Sequence, residues 1–261
     1  MTQEPPSPSP TVEVAESVGS VAFEHLTLLA ARDGRVLVRD LSLSIPAGVC
    51  LLVRSTSEAA EKALFRATAD LWYHGEGRIL HPGHDEIFFL PERPYLPPGT
   101  LRDILLRTGE EELVPDERIL DSLKTLNLEH VLEKAGGLDV ERKWGDILSL
   151  GEQQRLSFAR VLLTEPRFVF LDHPSRGMSE CPLGDLLALL RRQGITYLTL
   201  GDGTDDARFY DRLLEIEADG SWRLRPPGAG ESRENGNGAQ PDASPEALSA
   251  TPLCEVPDRT Q

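Results

Sequence analysis

Three places in the sequence hold residues whose types and spacing could do chemistry. The apolar run VCLLV (49–53) leads through Arg54 into Ser55, Thr56, Ser57, Glu58, Ala59, Ala60, Glu61 and Lys62. From there Ala60, Leu64, Ala67 and Leu71 recur at helical spacing. A strand that turns into a helix N-terminus is the geometry that binds phosphate, because unpaired amides and the helix dipole both favour an anion. This one has no glycine to bring amides close to a ligand, and it places Glu58 and Glu61 where attraction for phosphate is normally gained. The second place is Asp172-His173, at the end of the apolar run RFVFLD, together with Asp202 in LTLGDG. Histidine titrates near neutral pH and a carboxylate can orient it, so His173 and Asp202 could form an acid–base pair, or equally a polar pair with no reaction to perform. Asp172 could hold magnesium or simply brace neighbouring loops. The third place is LSLGEQQR (148–155), where Ser149 and Glu152 have the spacing of a capping box. Ser149 and the Gly151 amide could also present donors to a phosphate, although Leu150 crowds the approach.

The elements that must position these residues can be read from apolar periodicity. VAFEHLTLLA and RVLVRDLSLSIP nearly alternate apolar and polar residues around Asp33-Gly34, which predicts an antiparallel hairpin. EIFFLP, RFVFLD and ITYLTL are short continuous apolar strands, and GEQQRLSFARVLL and LGDLLALLRRQ read as helices, the first stopped by Pro166. A stretch from Pro115 to Ala135 has helical periodicity and ends at Gly136-Gly137. Alternating apolar strands and helices imply an α/β fold with a mostly parallel sheet.

Composition bounds the function. The chain has 261 residues, 39% hydrophobic and 27% charged, enough for one sizeable core. No apolar run approaches the roughly 20 residues of a membrane span, and MTQEPPSPSPTVEVAE has neither the basic start nor the apolar centre of a signal peptide. A cytoplasmic location is the expectation. A formal net charge of −16 opposes sequence-independent nucleic-acid binding. Cys50, Cys181 and Cys254 lack metal-ligand or disulfide spacing. Residues 1–18 and 227–261 are rich in Pro, Ser, Gly and acids, predicting disordered tails around one domain over 19–226.

Taken in order, LLVRSTSEAAEKALFRATADLW, FFLPERPYLPPGTLRDILL, LSLGEQQRLSFARVLL, EPRFVFLDHPS and ITYLTLGDG resemble the Walker A, Q-loop, signature, Walker B and switch regions of an ABC transporter nucleotide-binding domain. The resemblance is closest to the peroxisomal fatty-acyl and cobalamin subfamily and its bacterial relatives of the SbmA/BacA type, and it covers about residues 20–224. It implies a P-loop NTPase-like cassette with a parallel core sheet, an antiparallel β subdomain and a helical subdomain. It implies ATP and Mg as cofactors. As partners it implies a second cassette, homo- or heterodimeric, and a transmembrane subunit, with the chain at the inner face of the membrane. On this alignment Glu61 takes the place of the Walker A Lys and Lys62 that of the Ser/Thr. Glu92 replaces the Q-loop Gln, His173 the catalytic Glu and Asp202 the switch His, while Asp172 keeps the magnesium-holding role. The resemblance also implies that Ser149 and Gly151 serve a nucleotide held by the partner, and that the segment around Tyr95 receives a membrane domain. The expectation is a degenerate cassette acting in transport by pairing, with hydrolysis at its own site absent or very weak. Two alternatives stay open: an ATPase using atypical residues, and an interaction protein outside transport.

Overall fold

The computed structural model describes residues 11–109, 113–175, 182–202 and 205–227. Two sheets organise them. The first contains β1 (Glu13–Glu16), β2 (Ser20–Leu29), β3 (Val36–Pro46) and β5 (Gly75–His81), in the order β1-β5-β2-β3. The second contains β4 (Leu51–Ser55), β6 (Ile87–Leu90), β7 (Phe168–Asp172), β8 (Thr196–Leu200), β9 (Arg212–Ile216) and β10 (Trp222–Arg225). Its order is β10-β9-β4-β8-β7-β6, parallel throughout except for the β9–β10 hairpin. The helices are α1 (Glu58–Thr68), α2 (Leu101–Leu105), α3 (Asp116–Thr125), α4 (Glu129–Ala135), α5 (Trp144–Ile147), α6 (Leu150–Thr164) and α7 (Leu183–Arg192).

The parallel strands are buried on both faces, which is why they read as unbroken apolar runs. Successive side chains serve different cores. Leu51 and Val53, Phe168 and Phe170, and Leu198 and Leu200 pack with α1 and the first sheet. Cys50 and Leu52, Val169 and Leu171, and Tyr197 pack with α2 to α7. This two-residue alternation sandwiches the parallel sheet between the β subdomain on one side and the helical subdomain on the other.

Three expectations need correction. Thr11 to Val18 were placed in a disordered tail, but Val12 is buried and β1 pairs in parallel with β5. An edge strand of four residues gains its hydrogen bonds from the neighbouring strand, so its composition alone concealed it. Helix α1 stops at Thr68, short of the helical spacing that runs to Leu71, because Asp70 takes a left-handed conformation with φ 59° that leaves Leu71 exposed. The helix expected over 115–135 is two helices, α3 and α4, separated at Asn127 with φ 52°. The predicted Gly136 cap is present, left-handed at φ 79°. Most of the acidic tail expected over 227–261, with Cys181 and Cys254, lies outside the described residues.

Candidate functional site

The site begins where β4 runs into α1. Thr56 and Ser57 alone separate strand from helix, and the turn is closed by its own hydrogen bonds. Thr56 N–H donates to Ile216 O (3.2 Å), Ser57 N–H to Ser55 Oγ (3.0 Å), and Ser55 Oγ to Ile216 O (3.1 Å). Ser57 caps α1, its Oγ accepting from Ala60 N–H at 3.4 Å, while its carbonyl accepts from Glu61 N–H at 3.2 Å. Ser55 N–H donates to Glu61 Oε1 at 3.0 Å. The amides of Ser55, Thr56, Ser57, Ala60 and Glu61, which in a phosphate loop would face the ligand, are therefore engaged within the protein.

Glu61 holds this arrangement in place. It is 5% exposed, and its second oxygen, Oε2, lies 3.4 Å from His173 Nε2. His173, 4% exposed at the end of β7, has its Nδ1 2.9 Å from Asp172 Oδ1. Its backbone is left-handed (φ 47°) and its N–H donates to Leu200 O at 2.9 Å. Both ring nitrogens thus face carboxylates, a geometry that suits a ring donating from both. Glu61 and His173, 112 residues apart in the chain, meet as one buried group. Lys62 turns away, about half exposed, and pairs with Glu58 one helical turn back.

A cleft of about 470 Å³ opens beside this group, lined by Arg54, Ser55, Thr56, Glu58, Glu61, His173, Gly201, Asp202 and residues 215–217 of β9 and its end. Five carboxylates, Glu58, Glu61, Asp202, Glu215 and Glu217, line it beside Arg54 and His173, and three of them pair outward, Glu58 with Lys62, Glu215 with Arg225 and Glu217 with Arg223. Of the candidates, Ser55, Thr56, Glu58, Glu61, His173 and Asp202 share this cleft, and Asp172 touches it through His173. His173 and Asp202 do come to one place, with Glu61 as a partner the spacing did not suggest. Ala59 and Ala60 lie in the first turn of α1, Ala60 fully buried against the β subdomain. The residues present do not fit Mg-ATP in the ordinary way. No glycine lies in the turn, its amides are engaged, and the Glu61 carboxylate accepts from Ser55 N–H.

The remaining candidates form a second locus. Ser149 caps α6 in a reciprocal box: its Oγ accepts from Glu152 N–H (3.3 Å) and its own N–H donates to Glu152 Oε2 (2.7 Å). Glu152 Oε1 also meets Lys134 Nζ at 2.6 Å and His130 Nε2 at 2.7 Å on α4. Against the opposing effect of burial, the hydrogen bonds from Lys134, Ser149 and His130 hold the Glu152 carboxyl down to about 2. Gly151 is half-buried in the first turn of α6. Glu92 is tied to the same helix through its backbone carbonyl, which accepts from Gln154 Nε2 at 2.8 Å. Beyond it, Tyr95 is 81% exposed, and the following turn is pinned where Gly99 and Arg142 exchange backbone hydrogen bonds and Trp144 Nε1 donates to Gly99 O (3.1 Å). Arg54, Glu215, Glu217 and Gln154 were missed from sequence. Arg54 lies on β4, whereas Glu215 and Glu217 depend on β9, whose run RLLEI carries apolar residues that would have identified it as a strand.

The comparisons with known proteins bear on both loci. The family model described as ABC transporter matches residues 64–176, beginning just after the closed turn. An uncharacterized ABC transporter ATP-binding protein, sll0182, of Synechocystis is 37% identical over 207 residues, covering 79% of this chain and 31% of that protein. Human ATP-binding cassette sub-family D member 3 is 30% identical over 210 residues, covering 78% of this chain and 32% of that protein. The mouse lysosomal cobalamin transporter ABCD4 is 30% identical over 226 residues, covering 82% and 37%. The chain thus spans about a third of the length of these relatives. Among the described residues no helix is long and apolar enough to cross a membrane.

Proposed function

Because this chain belongs to the ABC transporter family, as an ATP-binding cassette of the sub-family D type, we propose that it acts in transport by pairing rather than by turning over nucleotide at its own site. It joins a second cassette, a transmembrane subunit, or both, on the cytoplasmic side of the membrane. The observation that carries this reading is Glu61, whose carboxylate occupies the turn from within, taking Ser55 N–H and facing His173.

Each group has a part in this proposal. Glu61 and His173 link α1 to the end of β7, and the His173 N–H to Leu200 O bond extends the link to β8, all from within the chain. Family cassettes draw on ATP with magnesium for their work; here Asp172 is committed to His173 Nδ1, and any magnesium it holds is weak or belongs to a shared site. Ser149 and the first turn of α6 remain as a helix N-terminus able to meet an anion presented by a partner cassette. The exposed Tyr95 and its pinned turn offer a rigid surface for a membrane subunit.

Titration of the purified chain with Mg-ATP tests the central claim, and no saturable binding in the micromolar range is expected. Micromolar binding that is lost on Asp172→Ala or Lys62→Ala would overturn it. Steady hydrolysis abolished by His173→Ala would instead favour the atypical-ATPase reading. Pairing is tested by mixing the chain with an ATP-competent cassette of the same sub-family and measuring association by analytical ultracentrifugation. Both chains sedimenting as monomers with and without Mg-ATP, and no co-purification with a transmembrane subunit, would sink the pairing claim.

A further inference from the structure

Away from both loci, β5 ends in His81-Pro82-Gly83-His84, a histidine on each side of a Pro-Gly pair. The turn is closed where Glu86 N–H donates to Gly83 O at 2.8 Å. It brings the two imidazoles together, their ring centroids 5.9 Å apart. His81 is 3% exposed, its ring held edge-on to Phe89 and its Nδ1 2.6 Å from Pro82 O. A carbonyl only accepts, so Nδ1 carries a proton and Nε2 of the neutral ring presents a bare lone pair. That Nε2 is buried and has no hydrogen-bond partner among the described residues. His84 is exposed and makes no hydrogen bond or ion pair among the described residues. Glu16, opposite His81 where β1 pairs with β5, stands close to the turn: a Cβ on Gly83 would lie 3.5 Å from its Oε1.

A buried polar atom left without a partner calls for an explanation, and here the second ring supplies one. An imidazole that ligates a metal ordinarily donates from one nitrogen to a backbone carbonyl or carboxylate, which fixes the tautomer, and gives the other nitrogen to the ion. His81 is set up in that way by Pro82 O. Metal–nitrogen bonds of about 2.0–2.1 Å place two rings on one tetrahedral ion with their centroids about 5–6 Å apart, which brackets the observed separation. Imidazole nitrogen suits zinc, copper and nickel, whereas magnesium and calcium take oxygen ligands. We propose that His81 and His84 bind a divalent transition-metal ion of the zinc class through one nitrogen each, with Glu16 supplying negative charge nearby. No group of three ligating side chains is assembled among the described residues, so water completes the shell. The ion would clamp the turn after β5 at the sheet edge where β1 joins. This site shares no residue with the cleft and depends neither on nucleotide nor on pairing.

The test is calorimetric titration of the full chain with zinc chloride, together with NMR of the histidine rings. The wild type should bind one zinc ion that His84→Ala loses or holds at least about tenfold more weakly. His84 is exposed, so this variant keeps the fold; His81→Gln should lose the same ion. Zinc should shift the ring signals of His81 and His84 together, and His25→Ala, which removes an exposed imidazole elsewhere, should leave the binding unchanged. Zinc binding identical in the wild type and His84→Ala would overturn the proposal. So would ring signals of His81 and His84 that stay fixed through the titration, or a zinc ion lost in His25→Ala instead.

Discussion

Glu61 and His173 stand far apart in the sequence, yet in space they face one another. The Glu61 carboxylate, which would repel phosphate, faces the His173 imidazole, with Oε2 3.4 Å from Nε2. The losses from removing each partner should therefore not add. Glu61→Ala removes the acceptor of Ser55 N–H and the carboxylate facing His173 Nε2, and should lower stability by about 2–4 kcal/mol in urea unfolding. Combined with His173→Ala, the two losses should fall short of additivity by at least about 0.5 kcal/mol; strict additivity would show that the two side chains do not interact. Glu152 makes a pH-dependent prediction. Its folded value of about 2 lies below the ordinary 4.5, so the stability it contributes is fully present above pH 4.5 and is lost as pH falls toward 2. His130 and Lys134 are nearly half exposed, which screens the network and keeps the expected contribution to about 1–2 kcal/mol. Unfolding of the wild type and Glu152→Gln from pH 6 to pH 3 should show the two stabilities converging as pH drops.

At the scale of elements, turns and caps decide where the functional side chains stand. Ser149→Ala removes the α6 cap and should cost about 1 kcal/mol. Amide exchange should rise first in the opening turn of α6, and an effect spread evenly over the fold would argue against a local cap. The β subdomain depends on two glycines of β5 that pass close to a bulge in β2. A Cβ on Gly77, at φ 97°, would lie 2.4 Å from His25 O, and one on Gly75, at φ 146°, 2.0 Å from Thr27 O. Gly77→Ala should therefore cost about 3 kcal/mol or more, checked by chemical denaturation. Legibility in the sequence follows the same division. β4, β7 and β8 were readable because burial on both faces makes their runs continuous. β1 was hidden because pairing alone creates it, and the break between α3 and α4 depends on one left-handed Asn127 that periodicity does not register.

For the molecule as a whole, the two cores on either side of the parallel sheet place the engaged turn and the cap of α6 at separate loci. A ligand that bound the native turn at 100 times its Kd would add about 2.7 kcal/mol, raising Tm by roughly 5–10 °C at this chain length. The expected result is no such rise for the isolated chain in millimolar Mg-ATP, measured by calorimetry. A rise of that size would mean the turn opens to accept phosphate.

Several properties follow from the residues alone: a parallel α/β core, the capping box at Ser149 and Glu152, the absence of glycine from the turn, and a carboxylate at Glu61. They are local matters of periodicity, spacing and side-chain chemistry. Tertiary structure alone decided where the Glu61 carboxylate points. Ser55 N–H, Asp172 and His173 come together around Glu61 only after β4, β7 and α1 pack around a shared core, so the role of the Glu61 carboxylate rests on a distance that no stretch of sequence contains.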